Sequence, residues 1–323
     1  MLVFLLVLGV AVEGVRRVLP DSSKPSANPH GPQIKVVIPA GANAVQIGGI
    51  LEQRGVVQDG ERFRNYVKEQ GLGAEFKAGT YRFQAGIDYD RIVERLNAGP
   101  LPPKVFKLVV PEGFRITDIE QRLGGGVGIT RGSYRGALRE AQPPAGFGHP
   151  ESLEGFLFPA TYDVRKPDTG RDLVAAQLAA FARAFDRVDM AYAASKNLTP
   201  YDVLIIASMI EREAKVDRER PLVAAVIYNR LAAGMPLGID ATLLYEQGDW
   251  AHRLTVSELE ADSPYNTRLR TGLPPTPISN PGLASLQAAA HPAEVNYLYY
   301  VAEGDSGAHY FTESFEDFRA HGG

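Results

Sequence analysis

The sequence contains no cysteine. That absence excludes disulfide bonds, thiolate zinc sites and a cysteine nucleophile. Histidine is scarce too, because the 6 residues are scattered and none falls in an HExxH or HxH pattern. Walker, GxGxxG and GxSxG patterns are also missing. The sequence therefore predicts neither a metal site nor a bound cofactor.

An excess of positive charge is lacking as well. The chain has 34 Lys and Arg against 38 Asp and Glu, which gives a net charge of −4. This balance offers no electrostatic basis for binding nucleic acid, so we predict no nucleic-acid partner. Apolar residues make up 45% of the 323 positions, which is enough for a sizeable core and for two domains of ordinary size.

A long hydrophobic run is the third absence. The apolar residues 2–12 would form a helix of about 17 Å, whereas the core of a bilayer is about 30 Å thick. No basic residue precedes them, and Arg16 and Arg17 follow. We therefore interpret residues 1–17 as part of an N-terminal membrane anchor that begins further upstream. Residues 18–33, rich in Pro, Ser and Asn, are predicted to be a linker.

The folded body opens with an internal repeat at a shift of 72 residues. Val37, Pro39, Gly41, Ile47 and Leu51 recur as Val109, Pro111, Gly113, Ile119 and Leu123. Each copy predicts a strand, a Pro-x-Gly turn and a helix, with the strands at residues 34–38 and 105–110. After the first copy, a helix at residues 59–70 and a strand at 75–83 would complete a βααβ module. A further helix is predicted at residues 88–96.

The second half of the chain is predicted to be mainly helical. Helical patterns cover residues 172–185, 200–214 and 221–233, and Thr199 with Asp202 resembles a capping box before the second of them. Residues 296–302 and 308–312 alternate like a pair of strands. Because residues 124–150 are rich in Gly, Pro and Ala, we expect a weakly ordered connection with short helical pieces there, and the main domain boundary inside it.

One of these helices is predicted to present two glutamates. Residues 203–214 are apolar on nearly every side, so the helix should be buried, with Glu211 and Glu213 at its carboxyl end. If the helix continues, Glu211 would pair with Lys215, whereas Asp217 would raise the pKa of Glu213. A carboxylic acid kept protonated near neutral pH suits general acid catalysis. The alternative is that both glutamates simply solvate a helix end.

Two irregular segments contain further candidate residues. Residues 263–282 include five prolines and two glycines, so they form either a disordered linker or a loop wrapped on the surface, and Tyr265, Asn266 and Ile278 favour wrapping. Aromatic and amide groups on a rigid loop are suited to sugar recognition. In residues 153–162, Phe156 and Phe158 are predicted to anchor the core, and Glu154 is a candidate cleft residue.

Six ordered motifs resemble a known family. They are EGFLFPATY at Glu154, ASMIEREA at Ala207, YNRL at Tyr228, SPYNT at Ser263, GLPPTPISNPG at Gly272 and AAAHP at Ala288. Their order and spacing over nearly the whole folded body resemble the endolytic murein transglycosylases, also called the YceG-like family. Members of this family are membrane-anchored bacterial enzymes that cut the glycan strands of peptidoglycan, with a LysM-like module before the catalytic domain.

The resemblance implies an α+β fold with a defined domain order. The predicted domains are a partial anchor (1–17), a linker (18–33), a LysM-like βααβ module (34–104), a second strand–helix unit with its connection (105–150) and a mainly helical catalytic domain with a small sheet (151–323). It also implies location at the cytoplasmic membrane through a single span, with the catalytic domain outside the cytoplasm. Peptidoglycan glycan strands are the expected partner, together with penicillin-binding proteins of wall synthesis.

The resemblance also selects between the two glutamates, because the catalytic residue of the family lies in an E-x-E motif that matches Glu213. The predicted substrate-binding residues are Glu154, Asn229, Asp240, Tyr265, Asn266 and Thr267. Some positions depart from the family pattern: Ala160 replaces an Asp and Arg268 replaces an aromatic residue.

The expected reaction is cleavage of the β-1,4 bond between N-acetylmuramic acid and N-acetylglucosamine, with 1,6-anhydromuramyl ends as product. Two other hypotheses remain. The protein could be a non-catalytic scaffold that binds the cell wall, or it could hydrolyse the same bond with a second carboxylate, for which Asp240 and Glu154 are the candidates.

Overall fold

The computed structural model describes residues 32–72, 76–100, 102, 105–123, 128–165, 167–304 and 306–322. The predicted anchor, residues 1–17, and nearly all of the predicted linker lie outside these ranges. Among the described residues, no helix combines the length and the apolar character that crossing a membrane requires. The chain divides into two compact units, Met1–Pro102 and Pro103–Gly323.

The first unit is a two-stranded antiparallel sheet covered by three helices. Its elements are β1 (Gln33–Ile38), α1 (Ala44–Gln53), α2 (Gly60–Glu69), β2 (Gly79–Gln84) and α3 (Tyr89–Ala98). Gln33 lies opposite Gln84 and Ile38 lies opposite Gly79. The predicted βααβ order is therefore observed. Alternate residues of each strand enter the core, where Val36 and Phe83 are 0% exposed.

The second unit contains the remaining elements. They are β3 (Val105–Val110), α4 (Ile116–Arg122), α5 (Arg131–Glu140), β4 (Ala160–Arg165), α6 (Gly170–Phe185), α7 (Ala191–Ser195), α8 (Pro200–Glu213), α9 (Arg220–Ala232), α10 (Asp240–Gln247), α11 (Val256–Leu259), α12 (Leu283–Ala290), β5 (Tyr299–Glu303), β6 (Ala308–Thr312) and α13 (Phe315–Ala320). A short 3₁₀ turn, Asp217–Glu219, precedes α9. The mixture of helices and small antiparallel sheets confirms the predicted α+β class.

The internal repeat is visible in the backbone of both units. Strand β3 and helix α4 begin 72 residues after β1 and α1, and Gly41 and Gly113 both have φ +75° in the turn between strand and helix. The two strands nevertheless pair differently: β1 pairs with β2 of its own module, whereas β3 pairs with β4, so that Val110 lies opposite Ala160.

This pairing corrects the expected domain boundary. We expected the main boundary within residues 124–150, but the chain divides after Pro102. Residues 131–140 form helix α5, which packs against α6, and β3 is joined to β4 in the same unit. Residues 105–150 therefore belong with 151–323, because hydrogen bonds between β3 and β4 and the burial of α5 depend on residues beyond 150.

Helix α8 lies at the centre of the second unit, packed against α9 and α12. Its eight residues Val203–Ile210 are all buried, as the apolar pattern predicted. Thr199 and Asp202 form the predicted capping box, with the Thr199 N–H 2.8 Å from Asp202 Oδ2. The helix ends at Glu213, since Ala214 takes an extended conformation (φ −77°, ψ 107°).

Two adjacent glycines of α1 provide a matched test of packing in the first unit. A Cβ on Gly48 would lie 2.4 Å from the Gly60 carbonyl oxygen at the start of α2, whereas a Cβ on Gly49 would meet nothing within 4 Å. We expect Gly48→Ala to destabilise the first unit by about 1–3 kcal/mol because α1 and α2 must separate. Gly49→Ala should stabilise it by about 0.5–1 kcal/mol through helix propensity.

The measurement is hydrogen exchange of the α1 and α2 amides in the full chain, which reports this unit locally. The single tryptophan, Trp250, lies in the other unit and does not report it. Equal protection in the two variants would contradict the close approach of α1 and α2.

Candidate active site

Glu213 occupies the last position of the buried helix α8. Its carboxylate is half-buried, and its Oε2 accepts a hydrogen bond of 3.0 Å from the Tyr300 hydroxyl. Burial raises the pKa of Glu213, and the negative charge of Asp240 raises it further. The hydrogen bond from Tyr300 opposes both effects without cancelling them. The site thus holds a carboxyl group with increased affinity for a proton, which is what a general acid requires.

Glu211, two residues earlier, has a different environment. Its Oε2 accepts hydrogen bonds from the Gly282 N–H at 2.9 Å and the Ser285 hydroxyl at 2.8 Å. Its Oε1 lies 3.7 Å from Nη2 of Arg220, and its side chain is only 7% exposed. These contacts attach α8 to the start of α12. Glu211 is therefore a structural residue, and the geometry supports Glu213 as the reactive carboxyl.

The reason for this difference is not the one that the sequence suggested. If α8 continued, Lys215 would pair with Glu211 and Asp217 would act on Glu213, but the helix ends at Glu213. Arg220 is the ion-pair partner of Glu211, and Asp240 is the carboxylate that raises the pKa of Glu213. Both partners come from later elements, so local helix spacing could not identify them.

The β5–β6 hairpin supplies the hydrogen-bond donor to Glu213. Tyr300 lies opposite Phe311 in the register, and His309 lies opposite Ala302, so these side chains share one face of the hairpin. The rings of Tyr300 and His309 meet edge to face at 5.2 Å. His309 Nδ1 in turn lies 2.9 Å from Oε2 of Glu219, which is 4% exposed. A hydrogen bond to Tyr300, a ring contact with His309 and the polar contact of His309 with Glu219 therefore follow one another from Glu213 into the protein.

Asn229 positions this hairpin. Its Nδ2 donates to the carbonyl oxygens of Val295 and Tyr297, both at 2.9 Å. The neighbouring Arg230 donates from Nε to the Leu298 carbonyl at 2.6 Å. Both donor groups of the Asn229 amide are thus used within the protein. The YNRL motif therefore helps to place Tyr300, and the sugar contact predicted for Asn229 stays a prediction.

The side chains of Asn266 and Thr267, in the SPYNT motif, are buried. Asn266 is 0% exposed, and its Nδ2 donates to the carbonyls of Leu259 and Ala261. Thr267 is 2% exposed, and its hydroxyl accepts a 3.0 Å hydrogen bond from the N–H of Ile239. This burial argues against the sugar contacts predicted for both residues, because neither side chain is accessible. Thr267 stabilises the segment that precedes Asp240, and Asn266 attaches its own loop to the end of α11.

Asp240 and Tyr265 remain at the surface of the site. Asp240 begins α10 and forms a two-point ion pair with Arg268, with 2.5 Å from Nε to Oδ1 and 3.0 Å from Nη2 to Oδ2. Arg268 is the residue that replaces an aromatic side chain of the family pattern. Tyr265 is half-buried, and its hydroxyl lies 2.8 Å from Oγ1 of Thr276. The predicted substrate contacts of Asp240 and Tyr265 stay predictions.

Glu154 is a buried structural group. It is 3% exposed, and its Oε1 accepts hydrogen bonds from the Ile116 N–H at 3.1 Å and from Asn280 Nδ2 at 2.9 Å. Burial raises the pKa of Glu154 to about 8, although these hydrogen bonds lower it. Glu154 therefore does not line a cleft as predicted. With Asn280 it joins the loop before α12 to the turn after β3.

The wrapped loop contacts α8 directly. The Ile278 N–H donates to Oγ of Ser208 at 3.0 Å, and the Ser279 hydroxyl donates to the Ser208 carbonyl at 3.1 Å. Ile278 and Phe156 are both 0% exposed, as predicted. The predicted wrapping of this loop is therefore confirmed, and Ser208, the one polar residue of the buried helix segment, makes the contact.

Comparison with known proteins agrees with this arrangement. A sequence profile of the YceG-like family matches residues 36–322. An endolytic murein transglycosylase of Bacillus subtilis (strain 168) is 32% identical over 88% of this chain and 82% of its own length. The chain belongs to the YceG-like family.

Other members extend the comparison. An endolytic murein transglycosylase of Streptococcus pneumoniae (strain ATCC BAA-255 / R6) is 31% identical over 88% of this chain, which spans 57% of that longer protein. The crystal structure of a YceG-like protein from Listeria monocytogenes is 32% identical and superposes with a TM-score of 0.56, covering 90% of this chain and 99% of that one. The YceG-like fold is thus shared over nearly the whole described chain.

Tyr300, His309 and Glu219 lie outside the site residues that the sequence predicts. Tyr300 and His309 lie in segments that the alternation pattern predicted as paired strands. A register placing Tyr300 and His309 on one face would have marked them as candidates, but no sequence signal linked that face to Glu213, which is 87 residues from Tyr300.

Two substitutions should shift the pKa of Glu213 in opposite directions. Tyr300→Phe removes a hydrogen bond to the charged carboxylate and should raise the pKa. Asp240→Asn removes a nearby negative charge and should lower the pKa. Carboxyl ¹³C NMR of protein labelled at glutamate measures both, with Glu213→Gln identifying the signal. Shifts of equal sign would contradict the described environment.

Proposed function

We propose that this protein is an endolytic murein transglycosylase that cleaves the β-1,4 bond between N-acetylmuramic acid and N-acetylglucosamine inside glycan strands. The observation that carries the proposal is Glu213, a half-buried carboxyl with a raised pKa at the end of a rigid, fully buried helix segment. Relatives at 31–32% identity bear the name endolytic murein transglycosylase, which supports the same substrate class.

One carboxyl group is sufficient for this reaction. Protonated Glu213 gives its proton to the departing glycosidic oxygen, and the resulting carboxylate then accepts the proton of the muramyl 6-hydroxyl as that oxygen attacks C1. Because the nucleophile belongs to the same sugar, the ring closes intramolecularly and no water has to be positioned. The N-acetyl group of the substrate stabilises the cationic centre during the reaction. The product is a 1,6-anhydromuramyl end.

Tyr300 can keep its hydrogen bond to Glu213 during both proton transfers of this reaction. Burial, and after it the charge of Glu213, hold the pKa of Tyr300 well above its ordinary value, so its hydroxyl remains a donor. The hydrogen bond to Oε2 fixes one carboxyl oxygen and leaves Oε1 to exchange the proton. The contact between His309 and Glu219 attaches the hairpin to the 3₁₀ turn before α9. It keeps the hairpin in place while the charge of Glu213 changes.

Hydrolysis of the same bond is the second candidate, and one observation favours it. A hydrolase needs a second carboxylate about 5–9.5 Å from the first. Asp240 is close enough to Glu213 to raise its pKa. Its two-point ion pair with Arg268, however, occupies both of its oxygens. Glu154, the other candidate, is excluded by its burial. The names of the relatives, endolytic murein transglycosylase, argue against a purely non-catalytic scaffold.

The first unit is proposed to be a LysM-like module that contacts glycan strands. Its βααβ order and the independent core around Val36 and Phe83 support this proposal. We further propose that residues 1–17 contribute to a membrane anchor at the cytoplasmic membrane, with the catalytic unit outside the cytoplasm. A wall-synthesis enzyme of the penicillin-binding class would then be a natural partner, because its product is the glycan strand.

Glu213→Gln should lower glycan cleavage by at least about 100-fold, because the amide keeps the shape of the side chain but donates no acidic proton. Its thermal midpoint should not fall, since a carboxyl with an unfavourably raised pKa is removed. The assay digests purified sacculi and identifies the new sugar ends by mass spectrometry. Wild-type fragments should carry 1,6-anhydromuramyl ends, which are lighter by one water than hydrolytic ends.

Glu211→Gln is the informative comparison. It should lower the thermal midpoint, since Glu211 binds Gly282, Ser285 and Arg220, but the folded fraction should still cleave glycan. If the wild-type digest contains only reducing muramyl ends, the lytic mechanism is wrong. The reaction is then hydrolysis with Asp240 as the second carboxylate. Full activity of the Glu213→Gln protein would contradict the role of Glu213 as the general acid.

A protein beginning at Pro103 tests the LysM-like module. It retains β3, which pairs with β4, so the second unit should fold and cleave short soluble strands. Its binding to sacculi in a pelleting assay should be weaker than that of residues 32–323. A start near residue 155 would be a poor choice because it deletes β3. If the protein that begins at Pro103 binds sacculi as well as residues 32–323 do, the first unit is a spacer and not a glycan-binding module.

A further inference from the structure

A groove in the second unit includes Arg212, the residue that precedes the proposed catalytic Glu213, and a second arginine, Arg122, which has no ion-pair partner among the described residues. It has a volume of 460 Å³ and is lined by Gly113, Phe114, Asp118, Gln121, Arg122, Arg212 and Trp250. This volume is in the usual range for a small-molecule site. Arg212 immediately precedes Glu213 on the last turn of α8, and successive side chains diverge by about 100° around a helix. The groove is therefore adjacent to Glu213 without sharing its space.

Arg212 is held in this groove mainly by an aromatic ring. Its guanidinium carbon lies 3.8 Å from the centroid of the Trp250 ring, and the guanidinium of Arg115 lies 4.8 Å from the same centroid. Among the described residues, its Nε has no hydrogen-bond partner, and Nη1 makes one long bond of 3.4 Å to the Gly113 carbonyl. Burial lowers the pKa of Arg212, and the charges of Asp118, Glu211 and Glu213 oppose this effect only in part.

The other charges of the groove leave a net positive site. Asp118 is neutralised by Arg115, with 3.1 Å from Nε to Oδ2 and 2.9 Å from Nη2 to Oδ1. Arg122 is exposed and lies over the Phe114 ring at 4.9 Å. Within the described part of the chain, neither Arg122 nor Arg212 has a carboxylate at ion-pair distance. Arg122, with its exposed guanidinium, is suited to bind a carboxylate, and Arg212 adds positive charge to the groove.

We infer that this groove binds the carboxylates of the peptide stem that peptidoglycan carries on its muramyl residues. The inference rests on the proposed glycan substrate. The stem is attached through C3 of the muramyl ring whose C1 bond is cleaved, so it begins close to Glu213. It is a short acidic peptide, which matches the charge of the groove, and Trp250 offers a flat apolar surface for its backbone. Stem binding would place the scissile bond on Glu213.

The single tryptophan of the protein provides a direct measurement. A synthetic stem peptide with free carboxylates, added to the folded Glu213→Gln protein, should change the Trp250 emission saturably, because it disturbs the stacked Arg212. The same peptide with its carboxylates converted to amides should bind at least about tenfold more weakly. Inorganic phosphate at equal concentration should have little effect, and equal binding of phosphate would overturn the assignment to the stem.

Variants and a second substrate complete the test. Arg122→Gln should weaken binding of the free-acid peptide about tenfold, and Arg122→Lys should weaken it less. Arg139→Gln, an exposed arginine on α5 outside the groove, is the control and should bind normally. The active protein has two values of kcat/KM, one for strands with stems and one for strands stripped of stems. Arg122→Gln should lower the ratio of the first value to the second.

The two proposals fail in different ways. If the wild-type protein cleaves glycan but the peptide leaves the Trp250 emission unchanged, the groove has no role in stem binding. If the peptide binds and depends on Arg122 but no glycan is cleaved, the proposed function fails and the peptide site remains. An unchanged stem preference in Arg122→Gln would also overturn the inference.

Discussion

The complete burial of one segment of α8 is the constraint on which the candidate site depends. Residues Val203–Ile210 contact protein on every side, and each large apolar side chain that is removed from water contributes about 1.5–3 kcal/mol. Such a helix cannot rotate or slide without exposing part of this surface. The carboxyl groups after it are therefore fixed: Glu211 towards the start of α12, and Glu213 towards the β5–β6 hairpin.

The motifs around this helix act mostly by positioning. Asn229 fixes the segment before β5, Thr267 fixes the segment before Asp240, and Asn280 with Glu154 joins two loops that are far apart in the chain. Such residues use their hydrogen-bonding groups inside the protein, where an unpaired polar group would cost about 1–3 kcal/mol. A motif can thus be diagnostic of a family while few of its side chains meet the substrate.

The internal repeat shows how similar local sequence can serve two architectures. In both copies the strand, the glycine turn with φ +75° and the helix start follow the same spacing. In the first copy nothing lies within 4 Å of a Cβ placed on Gly41, whereas a Cβ on Gly113 would lie 3.2 Å from Nη1 of Arg212. The second turn therefore forms a wall of the arginine groove. The same backbone conformation belongs to a compact module in the first copy and forms a wall of the groove in the second.

The sequence by itself determined the elements whose signals are local. Period-2 and helical patterns, the Thr199 capping box, the repeat spacing and the burial of α8 all follow from neighbouring residues, and the family motifs singled out Glu213. Only the tertiary structure decided what surrounds Glu213. Tyr300 and Asp240 reach it from other elements, β3 pairs with a strand beyond residue 150, and Asn266 and Thr267 turn inward. Contacts between distant segments depend on how whole surfaces pack, and spacing along the chain does not encode that.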